Sequence, residues 1–159
     1  MSDRKLRAHV DTLLSGRGAH DDFDAVIASF PPRLRGVRPK GLPYSSWQLL
    51  EHLRICQWDL LEYSRDPKHV SPEWPAGLWP KSAKPPSATA WAKSVRAFRK
   101  DLAAMRALVR DPKRDLTAPL PHAPQHTLLR EALILADHNS YHLGQLVVVR
   151  RMLGAWRDT

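Results

Sequence analysis

Residues 88–110 read ATAWAKSVRAFRKDLAAMRALVR, and their apolar side chains decide the fold. Trp91, Val95, Phe98, Leu102, Met105 and Val109 follow one another at steps of 4, 3, 4, 3 and 4. That alternation keeps one face of an α-helix apolar over about five turns, which is the seam of a helical bundle. The basic side chains of the stretch lie mostly off the seam, where a solvated face is expected.

Working outward, the 14 prolines fall in three groups, at 31–43, 67–86 and 112–124. The proline-free intervals between them carry helical periodicity, as expected for long helices joined by rigid connections. Residues 3–15 place Leu6, Val10 and Leu13 at helical spacing and stop at Gly16. A short helix is expected at 21–30, with Phe23, Val26, Ile27 and Phe30 on one face. Asp21, Asp22 and Asp24 sit in its first turn, where the helix dipole favours them. Ser45 with Gln48 three residues later predicts a capping box, and Tyr44 with Leu49 a hydrophobic staple, opening a helix over about 46–64. Leu49, Leu53, Cys56 and Leu60 should face inward. A last helix is expected over about 127–152, ended by Gly154.

Residues 68–86, KHVSPEWPAGLWPKSAKPP, make a loop of unusual length, and such a loop in a compact domain is usually functional or covers something. Trp74 and Trp79 are expected to pack down as a lid over one bundle end. No segment alternates apolar and polar residues as a strand would. The expectation is a single all-α domain over 1–159, a four-helix bundle with an additional short N-terminal helix.

Composition narrows the function classes. The chain has 159 residues, 43% hydrophobic and 26% charged, as in soluble globular proteins. No apolar run approaches the roughly 18–20 residues of a membrane span. The start, MSDRKLRAHVDTLLSG, is charged and forms no signal-peptide core, so secretion is not indicated. Cys56, alone, excludes an intrachain disulfide and suits a reducing cytoplasm. The net charge is +9, of which residues 93–114 supply +6 through eight basic side chains set against Asp101 and Asp111. No zinc-finger spacing, glycine-rich RNA-binding signature or interleaved aromatic accompanies them, so no sequence-specific nucleic-acid partner is expected. An anionic partner for this face is the rival to an enzymatic reading.

The last helix holds the anomaly. Its seam reads Leu135, His138, His142, Gln145, Val149, Met152, with three polar residues between apolar ends. Buried polar side chains cost several kcal/mol unless each finds a partner. His138 and His142 are four residues apart, so both imidazoles share a face, the spacing with which one helix chelates a metal. The same spacing also arises in helices whose histidines simply hydrogen-bond to a neighbour. His52, beside inward-facing Leu49 and Leu53, is the candidate third ligand, or else a hydrogen-bonded interior side chain. Cys56 is a possible fourth ligand or nucleophile, or a small buried hydrophobe. Glu51 and Asp59 are candidates to orient an imidazole or act as a base, and Tyr141 is a weaker one. Gly144, costly inside a helix, predicts close approach of another helix there, while Gln145 should face the histidine cleft.

WQLLEHLRICQWDLL (47–61) followed by DHNSYHLGQLVVVRRMLG (137–154) resembles the DinB/YfiT-like superfamily of small four-helix-bundle metalloproteins, over roughly residues 23–154. Tyr141-His142-Leu143-Gly144-Gln145, a histidine four residues before His142, and Trp47 five residues before His52 carry the resemblance. It implies a divalent metal, zinc or nickel, held by His52, His138 and His142, an up-down-down-up bundle, and a homodimer. GRGAHDDFDAVIASFPP (16–32) looks like a distinct subgroup, with His20 near the metal cleft or at the start of the Asp-rich helix. Cys56 lies outside the family's usual pattern. Three histidines would leave one metal position open, which suits hydrolysis or transfer of a low-molecular-weight thiol onto a small-molecule substrate. Characterised relatives include thiol-dependent S-transferases.

Overall fold

A computed structural model describes residues 3–156 of the chain. Five α-helices are present: α1 (Asp3–Leu14), α2 (Phe23–Ile27), α3 (Ser46–Arg65), α4 (Ala90–Arg110) and α5 (Leu128–Met152). A short antiparallel hairpin, β1 (Pro119–Leu120) with β2 (Ala123–Thr127), precedes α5.

The bundle is α1, α3, α4 and α5, and its direction follows from two groups of core side chains. Trp47 to Leu53 of α3, Trp91 to Phe98 of α4 and Leu143 to Val149 of α5 pack together with α2 at one end. Leu61, Met105, Val109, and Leu128 to Ala136 pack with Val10 and Leu14 of α1 at the other. Helices α3 and α4 therefore run parallel and α5 runs against them; α1 does too, since Arg7 bonds the carbonyls of Val109 and Asp111 at the end of α4 while Asp11, a turn further along α1, pairs with Arg106, a turn back along α4. This is the up-down-down-up order.

The parallel pair explains the long connection 66–89. A 20-residue helix rises about 30 Å, so the chain leaving α3 must return that distance before α4 can start beside it. On the way it passes a 3-10 turn at Ala76–Leu78 and sets Trp79 against α3. Trp74 does not join it: this side chain is 81% exposed, so only one of the two expected tryptophans packs down.

The capping box at Ser45 and Gln48 is formed, each side chain accepting from the other residue's backbone N–H. Tyr44 packs against Trp79. Thr127 caps α5, and Gly154 takes the left-handed conformation that ends it, with φ +62°.

Several expectations shift by a residue or a turn. Helix α2 spans one short turn capped by Asp22, not the whole of 21–30, although Phe30 beyond it is still buried. Leu14 and Leu61 fill the core where Leu13 and Leu60 were expected: Leu13 is half exposed and Leu60 only partly buried. Met152 is exposed too, so the α5 seam ends at Val149. The hairpin was not expected. Its strands are too short and proline-rich to alternate.

Two arginines lie inside. Arg7 donates to the carbonyls of Val109 and Asp111, groups that the end of α4 leaves without helical partners. Arg150 donates to the carbonyls of Val26, Ala28 and Ala155, tying α2 and the chain after α5 to the bundle. Within the basic stretch, Arg99 pairs with Asp24 and Arg106 with Asp11, so part of that charge is spent holding α2 and α1. No helix among the described residues is long and apolar enough to cross a membrane.

Candidate metal centre

His52 comes from the second turn of α3, and His138 and His142 come from the middle of α5, where the two helices pack side by side. The three rings converge through their Nε2 atoms. His52 Nε2 lies 3.1 Å from Nε2 of His142 and 3.1 Å from Nε2 of His138. His52 and His142 are buried, and His138 is partly so.

The outer nitrogens decide what those contacts are. His52 Nδ1 lies 2.8 Å from the carbonyl oxygen of Leu78, and His142 Nδ1 lies 2.7 Å from Oε1 of Gln145. Both partners are acceptors, so each Nδ1 carries the proton and each neutral ring presents a bare lone pair at Nε2. Two bare lone pairs facing each other at 3.1 Å do not form a hydrogen bond. A cation between them resolves the conflict. Protonation is opposed: burial pushes His52 down to about 4, with His142 adding to the effect. Burial and the two neighbouring rings push His138 to about 3, and burial lowers His142 as well. At neutral pH all three are unprotonated, the form in which imidazole binds a metal.

The donor set therefore fits a divalent transition metal. Bonds of about 2.0–2.1 Å at tetrahedral angles put ligand nitrogens about 3.3 Å apart, near the spacing observed. His52, His138 and His142 form the one group of histidine, cysteine or acidic side chains among the described residues whose ligand atoms all lie within 4.8 Å of one another. His138 Nδ1 is buried without a hydrogen-bond partner, as is Oδ1 of Asn139 beside it.

A stack of rings shields the cluster. Trp79 lies flat on His52, with centroids 3.8 Å apart and planes 6° from parallel, and Tyr44 covers the other face of Trp79 at 4.5 Å. The connection 66–89 thus supplies a carbonyl that fixes the tautomer of His52 and an indole that holds the ring in plane.

The other candidates fall outside this cluster. Cys56 Sγ is 3.5 Å from Nδ1 and 3.8 Å from Nε2 of His52, and burial pushes its thiol up to about 12. It packs as a protonated thiol. Glu51 is held by a two-pronged contact from Arg54 and by the Ser94 hydroxyl. Asp59 accepts from His69 at 2.7 Å. Neither carboxylate hydrogen-bonds a cluster histidine. Tyr141 is 64% exposed, with its ring edge-on to His142. His20 reaches Ser140 Oγ and the Asp21 carbonyl, while Asp22, not His20, caps α2.

Gly144 corrects an expectation. It is exposed, and a Cβ built on it meets nothing within 4 Å, so no helix approaches there. Gln145 is as expected, turned to the cleft and bonded to His142. The Leu78 carbonyl was not legible beforehand, because any residue offers a carbonyl and only the path of the loop selects this one.

A family model described as the DinB superfamily matches residues 17–146. The chain belongs to the DinB superfamily. No curated protein and no solved structure matches it significantly. As a DinB-superfamily member the chain places α1 wholly ahead of the matched segment, yet packs it as a full member of the bundle.

Proposed function

We propose that this DinB-superfamily protein is a metal-dependent enzyme in which His52, His138 and His142 hold one divalent ion, zinc or nickel, and that it transfers a low-molecular-weight thiol to an electrophilic small molecule. The carrying observation is the pair of bare Nε2 lone pairs at 3.1 Å, which calls for a cation. An ion with one open position supplies Lewis acidity, lowering the pKa of a bound thiol or water.

Thiol transfer is favoured over hydrolysis by what surrounds the cluster. Among the described residues no carboxylate touches the histidines, because Glu51 and Asp59 are committed to Arg54, Ser94 and His69. A thiol acidified by a metal is a nucleophile without a general base, whereas activating water usually employs one. This chain's own residues keep the imidazoles neutral, fix two tautomers through Leu78 and Gln145, and exclude water from His52 with Trp79.

We place the protein in the cytoplasm, which suits its free Cys56. A homodimer is part of the proposal, and α5 offers the surface for it: Ile134, Tyr141 and Val148 repeat at seven-residue steps on its exposed face, beside the bare backbone of Gly144. We assign the basic stretch no sequence-specific nucleic-acid role, since it has neither a recognition helix-turn-helix nor stacking aromatics.

The test is elemental analysis of untagged protein followed by turnover. The reading expects about one ion per chain, thiol conjugation to an aryl halide only when metal-loaded, and loss of both in His142→Ala. Equal turnover of a nitrophenyl ester without thiol would move the assignment to a hydrolase. Bound metal with neither activity would leave a non-enzymatic metal-binding bundle. Stoichiometry near zero after reconstitution would overturn the metal site itself.

A further inference from the structure

A cavity of about 610 Å³ opens between the turn at 32–37 and the segment leading into α4, within the usual size range of small-molecule sites. It does not share a residue with the histidine cluster. Its charged lining is Arg33, Arg35 and Lys84, with no acidic side chain. Among the described residues no carboxylate bonds to any of the three, although elsewhere in the molecule Arg54, Arg65, Arg99 and Arg106 are all matched with acids. Three uncompensated cations around one concavity produce a focused positive potential.

The walls are built rather than incidental. Arg35 stacks over the ring of Trp91, 4.7 Å from its centroid, and donates to the carbonyl of Phe30, while its Nε is buried without a partner. Its guanidinium is fixed in place with part of its donor capacity unused. Gly36 permits the two walls to meet, since a Cβ there would lie 2.5 Å from Cγ and 2.9 Å from Cα of Lys84. The chain entering α4 borders the cavity through Ser87 and Ala88 and the first turn of α4 through Trp91, while Thr89 at the helix start gives no side-chain cap. The positive end of a 21-residue helix therefore adds to the cations. Pro32, Val37 and Pro85 make the remaining wall apolar.

We propose that this cleft binds a small organic anion, a carboxylate or phosphate ester with an apolar body. Arg33, Lys84 and the open turn of α4 take the anionic group, Arg35 backs it, and the proline and valine side chains cover the body. Both walls are tied to the start of α3: the Arg35 carbonyl accepts from Trp47 N at 2.8 Å and the Ala83 carbonyl from Ser45 Oγ at 2.6 Å. An occupant thus bears on the helix that carries His52. The site stands whether or not the histidines hold metal.

The test is a titration of the full chain, metal-free and metal-loaded, with phenyl phosphate, benzoate, inorganic phosphate and neutral benzyl alcohol, followed by amide resonances in NMR. Saturable shifts confined to residues 33–37 and 84–92 are expected. Phenyl phosphate should bind at least ten-fold more tightly than inorganic phosphate, and benzyl alcohol should not bind. Arg33 and Lys84 are exposed, so Arg33→Ala with Lys84→Ala should weaken phenyl phosphate at least ten-fold at unchanged melting temperature. Lys84→Glu alone should act in the same direction. Shifts that do not saturate, shifts spread along residues 93–114, or affinity retained in both variants would overturn the proposal.

Discussion

Acidification of the metal-free protein should destabilise it through the histidine cluster, above the range where carboxylates titrate. In the unfolded chain each imidazole has an ordinary pKa near 6.5. In the fold, His52 is held at about 4 and His138 at about 3. The unfolded state therefore binds protons first as pH falls. Stability from these groups is complete above about pH 6.5 and is lost as pH drops towards their folded values. At pH 5 the unfolded rings are 1.5 units below their pKa and the folded ones still neutral, which at about 1.36 kcal/mol per unit gives about 2 kcal/mol per ring. His52 and His138 together cost about 4 kcal/mol, and His142, also lowered, acts in the same direction. Against a total of about 5–15 kcal/mol that is a large fraction. Asp11, held low by its bond to Arg106, and Asp22, held low by the Ala25 N–H it caps, contribute only below about pH 4. The assay is urea unfolding of chelator-treated protein at pH 7.5, 6.5, 5.5 and 5.0. The stability should fall by about 4 kcal/mol across the series, and the fall should flatten in a His52→Leu, His138→Leu double variant. A change below about 1 kcal/mol in the unsubstituted protein would show that the rings are not desolvated as described.

Three further outcomes are expected. Gln145→Ala should keep the fold but lower metal affinity by roughly 10–100-fold in a competitive chelator titration, because His142 loses the acceptor that fixes its tautomer; an unchanged affinity would remove Gln145 from the site. Trp79→Ala removes two ring stacks worth about 0.5–1.5 kcal/mol each, so urea unfolding should show a loss of about 1–3 kcal/mol, and none would mean the stack is not maintained in solution. Gly144→Leu should leave the melting temperature of the monomer within about 2 °C, since the new side chain meets open space, while shifting a dimer towards monomer in analytical ultracentrifugation.

The bundle was legible because its signals are local and repeated. The 4-3-4-3-4 seam of α4, the reciprocal cap at Ser45 and Gln48, and the glycine after α5 each report on a few neighbouring residues, and each appears in the structure. The convergence of His52 with His138 and His142 was expected from the family resemblance and from their helical faces, and the rings do meet. What escaped depends on paths, not patterns. A seam can be read one residue off when two leucines adjoin, as at Leu13-Leu14 and Leu60-Leu61, because either can face inward with a small rotation of the helix. Gly144 was expected to meet another helix on the strength of its cost alone. Its side of α5 faces outward, and composition carries no sign of that. Trp74 and Trp79 are equally apolar in sequence, and only the return of the loop along α3 separates the exposed one from the packed one. Buried Arg7 and Arg150 look in sequence like any other charges, since the partners that hold them inside are backbone carbonyls, Asp3 being an added partner of Arg7 on its own helix.

The order of the cluster along the chain has a consequence for biogenesis. His52 precedes His138 by 86 residues and His142 by 90, and the latter two lie together on α5, which is synthesised well after α3. A growing chain that lacks α5 carries a single histidine of the three and cannot chelate. When α5 docks, it brings two imidazoles against a third, and the bare Nε2 of His142 then opposes that of His52. With an ion bound in the folded state alone, at a hundred times its dissociation constant, the docked form gains about 2.7 kcal/mol. Were the cluster to hold an ion, its supply would favour chains in which α5 is docked in register over those in which it is not.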